Sequence, residues 1–150
     1  MQRHSSLSLL SNDHHHALML AQVIKKGAPR YKKFPGTLEG KKEFAIKFYR
    51  ENLIPHFHEE ENLLYLFVKG KNSSIDALFA EILNEHKIIE GIINSLKDNS
   101  DIEESLDRLG NLLISHIRKE ERELFPMIEN EFNEEDLLSL ESELKKRHAG

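Results

Sequence analysis

The sequence predicts an all-α fold, an antiparallel up-down-up-down four-helix bundle with a short extra C-terminal helix. Three observations predict it. Five segments repeat apolar residues at steps of three and four, and no segment alternates as a strand does. The turns between them are short, which favours antiparallel neighbours. With 150 residues the chain suits one domain, spanning 1–150, around a single core.

The first segment runs from about Ser8 to Lys26 and places Leu7, Leu10, His14, Ala17, Leu18, Ala21 and Ile24 on one stripe. "KGAPRYKKFPGT" then punctuates a loop with Gly27, Pro29, Pro35 and Gly36. The second segment, from about Glu39 to Lys69, carries Phe44, Phe48, Asn52, His56, Glu60, Leu63 and Phe67. Pro55 should kink or split it. In the third, Ser73 with Asp76 resembles a capping pair, and Ile75, Leu78, Phe79, Ile82, His86, Ile89 and Ile93 point inward. Ser100 and Glu103 fit a capping box for the fourth. That helix carries Leu106, Leu109, Leu112, Leu113, His116, Glu120 and Leu124 and stops near Pro126. "NEED" opens a shorter fifth helix with Leu137, Leu138, Leu140 and Leu144.

Composition narrows the function. A chain that is 39% hydrophobic and 31% charged folds as an ordinary globular protein rather than as a disordered one. No apolar run approaches the roughly 18 residues of a membrane span, and polar residues interrupt the N-terminal apolar runs, so no signal peptide is read there. Cytoplasmic residence is the expectation. Cysteine is absent, which excludes disulfides, thiolate ligands and thiol nucleophiles. The net charge of 21 − 26 = −5 argues against nucleic acid as a partner. Residues 25 to 50 run the other way, with nine Lys and Arg against Glu39 and Glu43, and read as a solvated basic face.

"HFHEEENLLYL" (56 to 66) aligns without a gap on "HIRKEERELFP" (116 to 126), so the second and fourth helices look like copies of one unit. Residues four apart share a helix face. His56 with Glu60, and His116 with Glu120, each therefore present an imidazole and a carboxylate on an inward stripe. An unpartnered carboxylate in a core costs at least several kcal/mol, and a divalent or trivalent cation supplies the compensation. The third helix adds His86 with Glu90 four residues on. The first adds His14, chosen over His15 because it lies on the stripe behind an acid, Asp13, as His86 lies behind Glu85. His14, His56, Glu60, His86, Glu90, His116 and Glu120 thus offer six or seven nitrogen and oxygen ligands. That exceeds the four of a structural zinc site and suits two metal ions. Without sulfur, the set fits iron or manganese better than copper. His58, Glu61 and Glu121 fall off the ligand face and read as surface or supporting groups, and His4 and His148 as exposed terminal residues. "HEEEN" lacks the second histidine of a zinc-protease helix, since Asn62 stands there. The Glu-x-x-His pattern of ferritin-like bundles is missing too.

"LLSNDHHHAL", "PHFHEEENLLY", "LNEHKIIEGI" and "SHIRKEERELFP", in that order and spacing, make the chain resemble a hemerythrin-like (HHE cation-binding) domain. The resemblance implies a four-helix bundle around a non-haem di-iron centre with oxo or hydroxo and carboxylate bridges. Its ligands would be His14, His56, Glu60, His86, His116 and Glu120, with Glu60 and Glu120 bridging. Oxygen-carrying members have a histidine where Glu90 stands; other members have a carboxylate there or no ligand at all, so Glu90 is a candidate seventh ligand, one that would favour the ferric state. The implied partner is dioxygen, nitric oxide or peroxide, in binding, sensing or iron storage. A redox enzyme acting on peroxide or nitric oxide, or repairing iron centres, is the alternative. A zinc-bound or metal-free interaction bundle is the third reading, and zinc or manganese is the expected substitute for iron.

Overall fold

The computed structural model describes residues 2–149, with side chains described through residue 147; His148 lies outside the residues whose side chains are described. Among the described residues there are five helices and no strand. They are α1 (Ser5–Ile24), α2 (38–68), α3 (Ser73–Lys97), α4 (102–131) and α5 (Glu134–Ala149). None is long and apolar enough to cross a membrane.

Polar side chains set the helix starts, and not always the expected ones. His4 caps α1: its Nδ1 accepts from the Ser6 amide at 3.0 Å, and its Nε2 lies 3.0 Å from Glu134. It is therefore half-buried rather than a free terminal residue. Asn72 caps α3 by accepting from the Ser74 and Ile75 amides. The expected Ser73–Asp76 pair gives way to Asp76 accepting from the Gly70 amide. No Ser100–Glu103 box forms, because the chain enters α4 through Asp101 in the left-handed region at φ 40°. Asn133 caps α5 by accepting from the Asp136 amide at 2.8 Å.

The prolines neither split α2 nor stop α4. Each lies just after a π-helical turn, Tyr49–Leu53 before Pro55 and Glu120–Leu124 before Pro126. In these turns the Ile54 and Phe125 amides reach back five residues, to the carbonyls of Tyr49 and Glu120. A proline clashes with the carbonyl four residues before it, and the wider turn relieves that clash without ending the helix. A third π turn, Glu60–Leu64, is followed by no proline; it lies sixty residues before Glu120–Leu124, as the sequence repeat does.

The same turns move the buried stripe of α2. Ala45, Tyr49, Leu53, His56, Phe57, Glu60, Leu64 and Val68 are buried, whereas Asn52 is exposed and Phe44, Phe48, Leu63 and Phe67 are only half-buried. Steps of four drift by about 40° each around a regular α-helix. The π turns absorb this drift, so the stripe continues as 56, 60, 64, 68.

Two apolar cores result, one on each side of a polar layer. The upper joins Leu20, Ala21, Ile24, Ala45, Leu53, Ile89, Ile93, Leu106 and Leu113. The lower joins Leu7, Leu10, Leu64, Phe79, Ile82, Leu124, Phe125 and Ile128, and α5 closes it with Leu137, Leu140 and Leu144. Leu138 points outward. The basic face is partly spent in tethers: Lys42 is buried against Asn99 and Glu39, and Lys26 pairs with Glu104.

Helices α1 and α4 pack closely at Gly110, where a β-carbon would lie 2.9 Å from the Ala21 carbonyl oxygen and 2.7 Å from Lys25 Cγ. Gly91 in α3 has open space. Urea unfolding should therefore find Gly110→Ala destabilised by about 1–3 kcal/mol. Gly91→Ala should be stabilised by about 0.5–1 kcal/mol, the helix-propensity difference alone. Equal effects at the two sites would contradict this packing.

Candidate metal centre

Six side chains meet in the polar layer: His14 from α1, His56 and Glu60 from α2, His86 from α3, and His116 and Glu120 from α4. None is more than 5% exposed, and both glutamates are 0% exposed. Each carboxylate spreads its two oxygens between two helices. Glu60 Oε2 lies 3.5 Å from His56 Nε2 and its Oε1 lies 3.1 Å from His86 Nε2. Glu120 Oε2 lies 3.7 Å from His116 Nε2, and its Oε1 lies 2.8 Å from His14 Nε2. Even the shorter of these contacts are out of line for a hydrogen bond. All four Nε2 atoms and all four glutamate oxygens are buried without a hydrogen-bond partner. An unsatisfied buried polar atom costs about 1–3 kcal/mol, more when charged, so their concentration in one layer needs a compensating group.

The opposite edge of each imidazole is fully partnered. His14 Nδ1 meets Glu121 at 2.6 Å, His56 Nδ1 meets Asp13 at 3.0 Å, His86 Nδ1 meets Glu61 at 2.7 Å and His116 Nδ1 meets Glu85 at 2.6 Å. A carboxylate on Nδ1 fixes the ring and the tautomer and leaves the Nε2 lone pair aimed at the centre. Packing adds to this, with Phe57 stacked on His86 at 3.8 Å and Phe125 parallel to His14 at 5.8 Å. The six residues sort into two overlapping groups, each with its ligand atoms within 4.8 Å of one another. One is His14, His56, Glu60 and Glu120; the other is Glu60, His86, His116 and Glu120. Each group could hold a metal ion, and the two glutamates belong to both.

The model of the hemerythrin HHE cation-binding domain family matches residues 5–128. The chain belongs to that family. No curated protein and no solved structure matches it at a significant level. The match takes in the four bundle helices up to Ile128, and α5 lies beyond it.

In this hemerythrin-domain chain, six of the seven expected ligands come together and Glu90 does not. It is exposed in a groove lined also by Tyr49, His58, Lys87 and one edge of His86, and it joins neither group of ligand atoms. The reason is helical phase. Helix α3 is α-helical throughout, so after His86 the inward stripe takes a step of three to Ile89 and then of four to Ile93. His15 and His16 are exposed, as is His58, which pairs with Asn62. Tyr65 packs on Phe79, away from the centre. The sequence alone leaves open which histidine each supporting acid serves. A signal is present in the shared triplets Asn12-Asp13-His14 and Asn84-Glu85-His86, and in the acids directly after Glu60 and Glu120.

Without metal, protons share the centre. Burial pulls the His14 pKa down, but the Glu120 and Glu121 carboxylates, with Glu60 beyond, outweigh it and hold it at about 9. His56 and His86 are raised the same way against burial, chiefly by Glu60. Glu60 overcomes burial, through His56 first, and is held well below the usual carboxylate range; Glu120 is pushed up by burial and by the Glu60 charge. A histidine whose pKa rises on folding contributes stability that is complete below its unfolded value of 6.5 and is lost as pH climbs through the folded value. The lowered Glu60 works in reverse, with stability present above 4.5 and lost as pH falls through its folded value. The chelated protein should thus melt at a lower temperature above about pH 9 than near pH 6.5. Thermal melts by circular dichroism check this, and a flat profile between those values would contradict it.

Proposed function

We propose that the chain is a cytoplasmic hemerythrin-like protein whose single domain holds a non-haem di-iron centre for binding or sensing dioxygen, nitric oxide or peroxide. His14, His56, Glu60, His86, His116 and Glu120 would hold the metals, with Glu60 and Glu120 shared between them. The observation that carries this reading is the set of eight buried atoms without a hydrogen bond, four imidazole nitrogens and four carboxylate oxygens, converging in one layer. A nitrogen and oxygen donor set of this kind suits iron, and a ligand set larger than four suits a pair of ions better than a closed zinc site. When bound, such a pair supplies redox chemistry toward small oxidants.

The bundle is proposed to run up-down-up-down. In support, Arg3 before α1 meets Glu121 and Glu129 late in α4, while Lys26 after α1 meets Glu104 and Asp107 early in it. Access comes through a cavity of about 260 Å³ between α1, α2 and α4. Ala17, Leu53, Leu113 and Ile117 line its walls, and His14, His56, His116 and Glu120 its floor. A cavity of this size, with both apolar and polar side chains around it, admits a diatomic or a peroxide.

Metal analysis after iron-replete expression should find about two irons per chain with near-ultraviolet oxo-to-iron absorption, and His56→Ala or Glu120→Gln should lose much of both. Chelation should lower the melting temperature, since a ligand at a hundred times its Kd stabilises by about 2.7 kcal/mol. Less than about one iron per chain, with no such absorption, would sink the proposal.

A further inference from the structure

The four supporting acids do not serve the helices that carry them. Asp13 of α1 holds His56 of α2, Glu61 of α2 holds His86 of α3, Glu85 of α3 holds His116 of α4, and Glu121 of α4 holds His14 of α1. The contacts close a ring around the bundle, each helix fixing the histidine of the next. We infer that Asp13, Glu61, Glu85 and Glu121 are positioning residues that divide by metal position. Asp13 and Glu121 set the histidines of one position (His14 and His56), and Glu61 and Glu85 set those of the other (His86 and His116).

This division crosses the chain order. Glu121 follows Glu120 and shares α4 with His116, yet its carboxylate lies on His14, which belongs to the other group. Glu61 likewise follows Glu60 and shares α2 with His56, yet holds His86. Two of the ring contacts lie within the α1–α2 and α3–α4 pairs, and the other two join one pair to the other. Each pair repeats the same pattern, an acid before the histidine on its first helix and an acid after the shared glutamate on its second. The centre is therefore assembled from two equivalent helix pairs, and neither holds both of its histidines in place without an acid from the other.

The inference rests on the two-metal reading above, and its test separates the two. Asp13 and Glu61 are the cleanest positions, with side chains 40% and 42% exposed, so their replacement leaves the core intact. The probe is iron(II) titrated anaerobically into chelated protein, with bound metal per chain measured after dialysis. Asp13→Ala should weaken one of the two equivalents by about 10–100-fold and leave the other unchanged. Asp13→Asn, whose amide oxygen still accepts from Nδ1–H, should fall between wild type and alanine. In a His56→Ala background, Asp13→Ala should add little, because both changes strike one position; in a His116→Ala background it should remove most of the remaining metal. Glu61→Ala should give the mirror result, and Glu121→Gln should follow Asp13 while Glu85→Gln follows Glu61. Melting of chelated Asp13→Ala and Glu61→Ala should change far less than their metal affinity does, which distinguishes positioning from general support of the fold. If each substitution weakens both equivalents alike, or acts equally in the two histidine backgrounds, the ring assignment is wrong. If wild type itself fails to take up two ions, the two-metal reading fails first.

Discussion

The structure depends on one electrostatic constraint, the burial of two carboxylates and four imidazoles in one layer between two apolar cores. Taken alone, an ionised carboxylate in such surroundings is strongly disfavoured. Glu60 and Glu120 are both fully buried, and their oxygens find no hydrogen bond. The protein answers at two levels. Asp13, Glu61, Glu85 and Glu121 lock the imidazoles from outside, and the inner atoms are left as a cage that could hold cations. Holding that cage open has a cost, which the separate apolar cores above and below offset by burying side chains such as Phe79, Phe125, Leu20 and Leu106.

Backbone geometry obeys the same demand. On α2 and α4 a stripe at steps of four must stay inward from the histidine, through the glutamate, to Leu64 and Val68 or Leu124 and Ile128. A regular α-helix would rotate that stripe away, and π turns, which often mark functional sites, hold it in place. Both turns open at the glutamate itself. Pro126, which by composition should end α4, then continues the helix toward the lower core, where Phe125 and Ile128 are buried.

Much of this was legible in the sequence because burial and helical period are local rules. The inward histidines and the two His-x-x-x-Glu pairs came from stripe position, and the choice of His14 over His15 from stripe position and the acid before it; all these residues are buried and His15 is exposed. Three features were not legible, for separable reasons. Whether Pro55 breaks a helix depends on a π turn that no residue type announces. Capping by Asn72 rather than Ser73 turns on a one-residue shift that propensity does not resolve. The pairing of Glu121 with His14 joins residues 107 apart in the chain, which depends on how the helices pack.

Glu90 shows how helical phase, rather than motif, decides membership of the centre. His86 and Glu90 repeat the four-residue spacing of His56 and Glu60, and by spacing alone the two pairs are equal. The neighbouring apolar positions separate them. On α2 the next inward residues are Leu64 and Val68, in step with the glutamate, whereas on α3 they are Ile89 and Ile93, in step with the histidine only. A carboxylate one position beyond Ile89 is turned by about 100° from the stripe that Ile89 occupies and faces water, where its charge needs no partner. The apolar residues around a polar pair thus carry more information about its role than the pair does, because they fix the angle at which it meets the core.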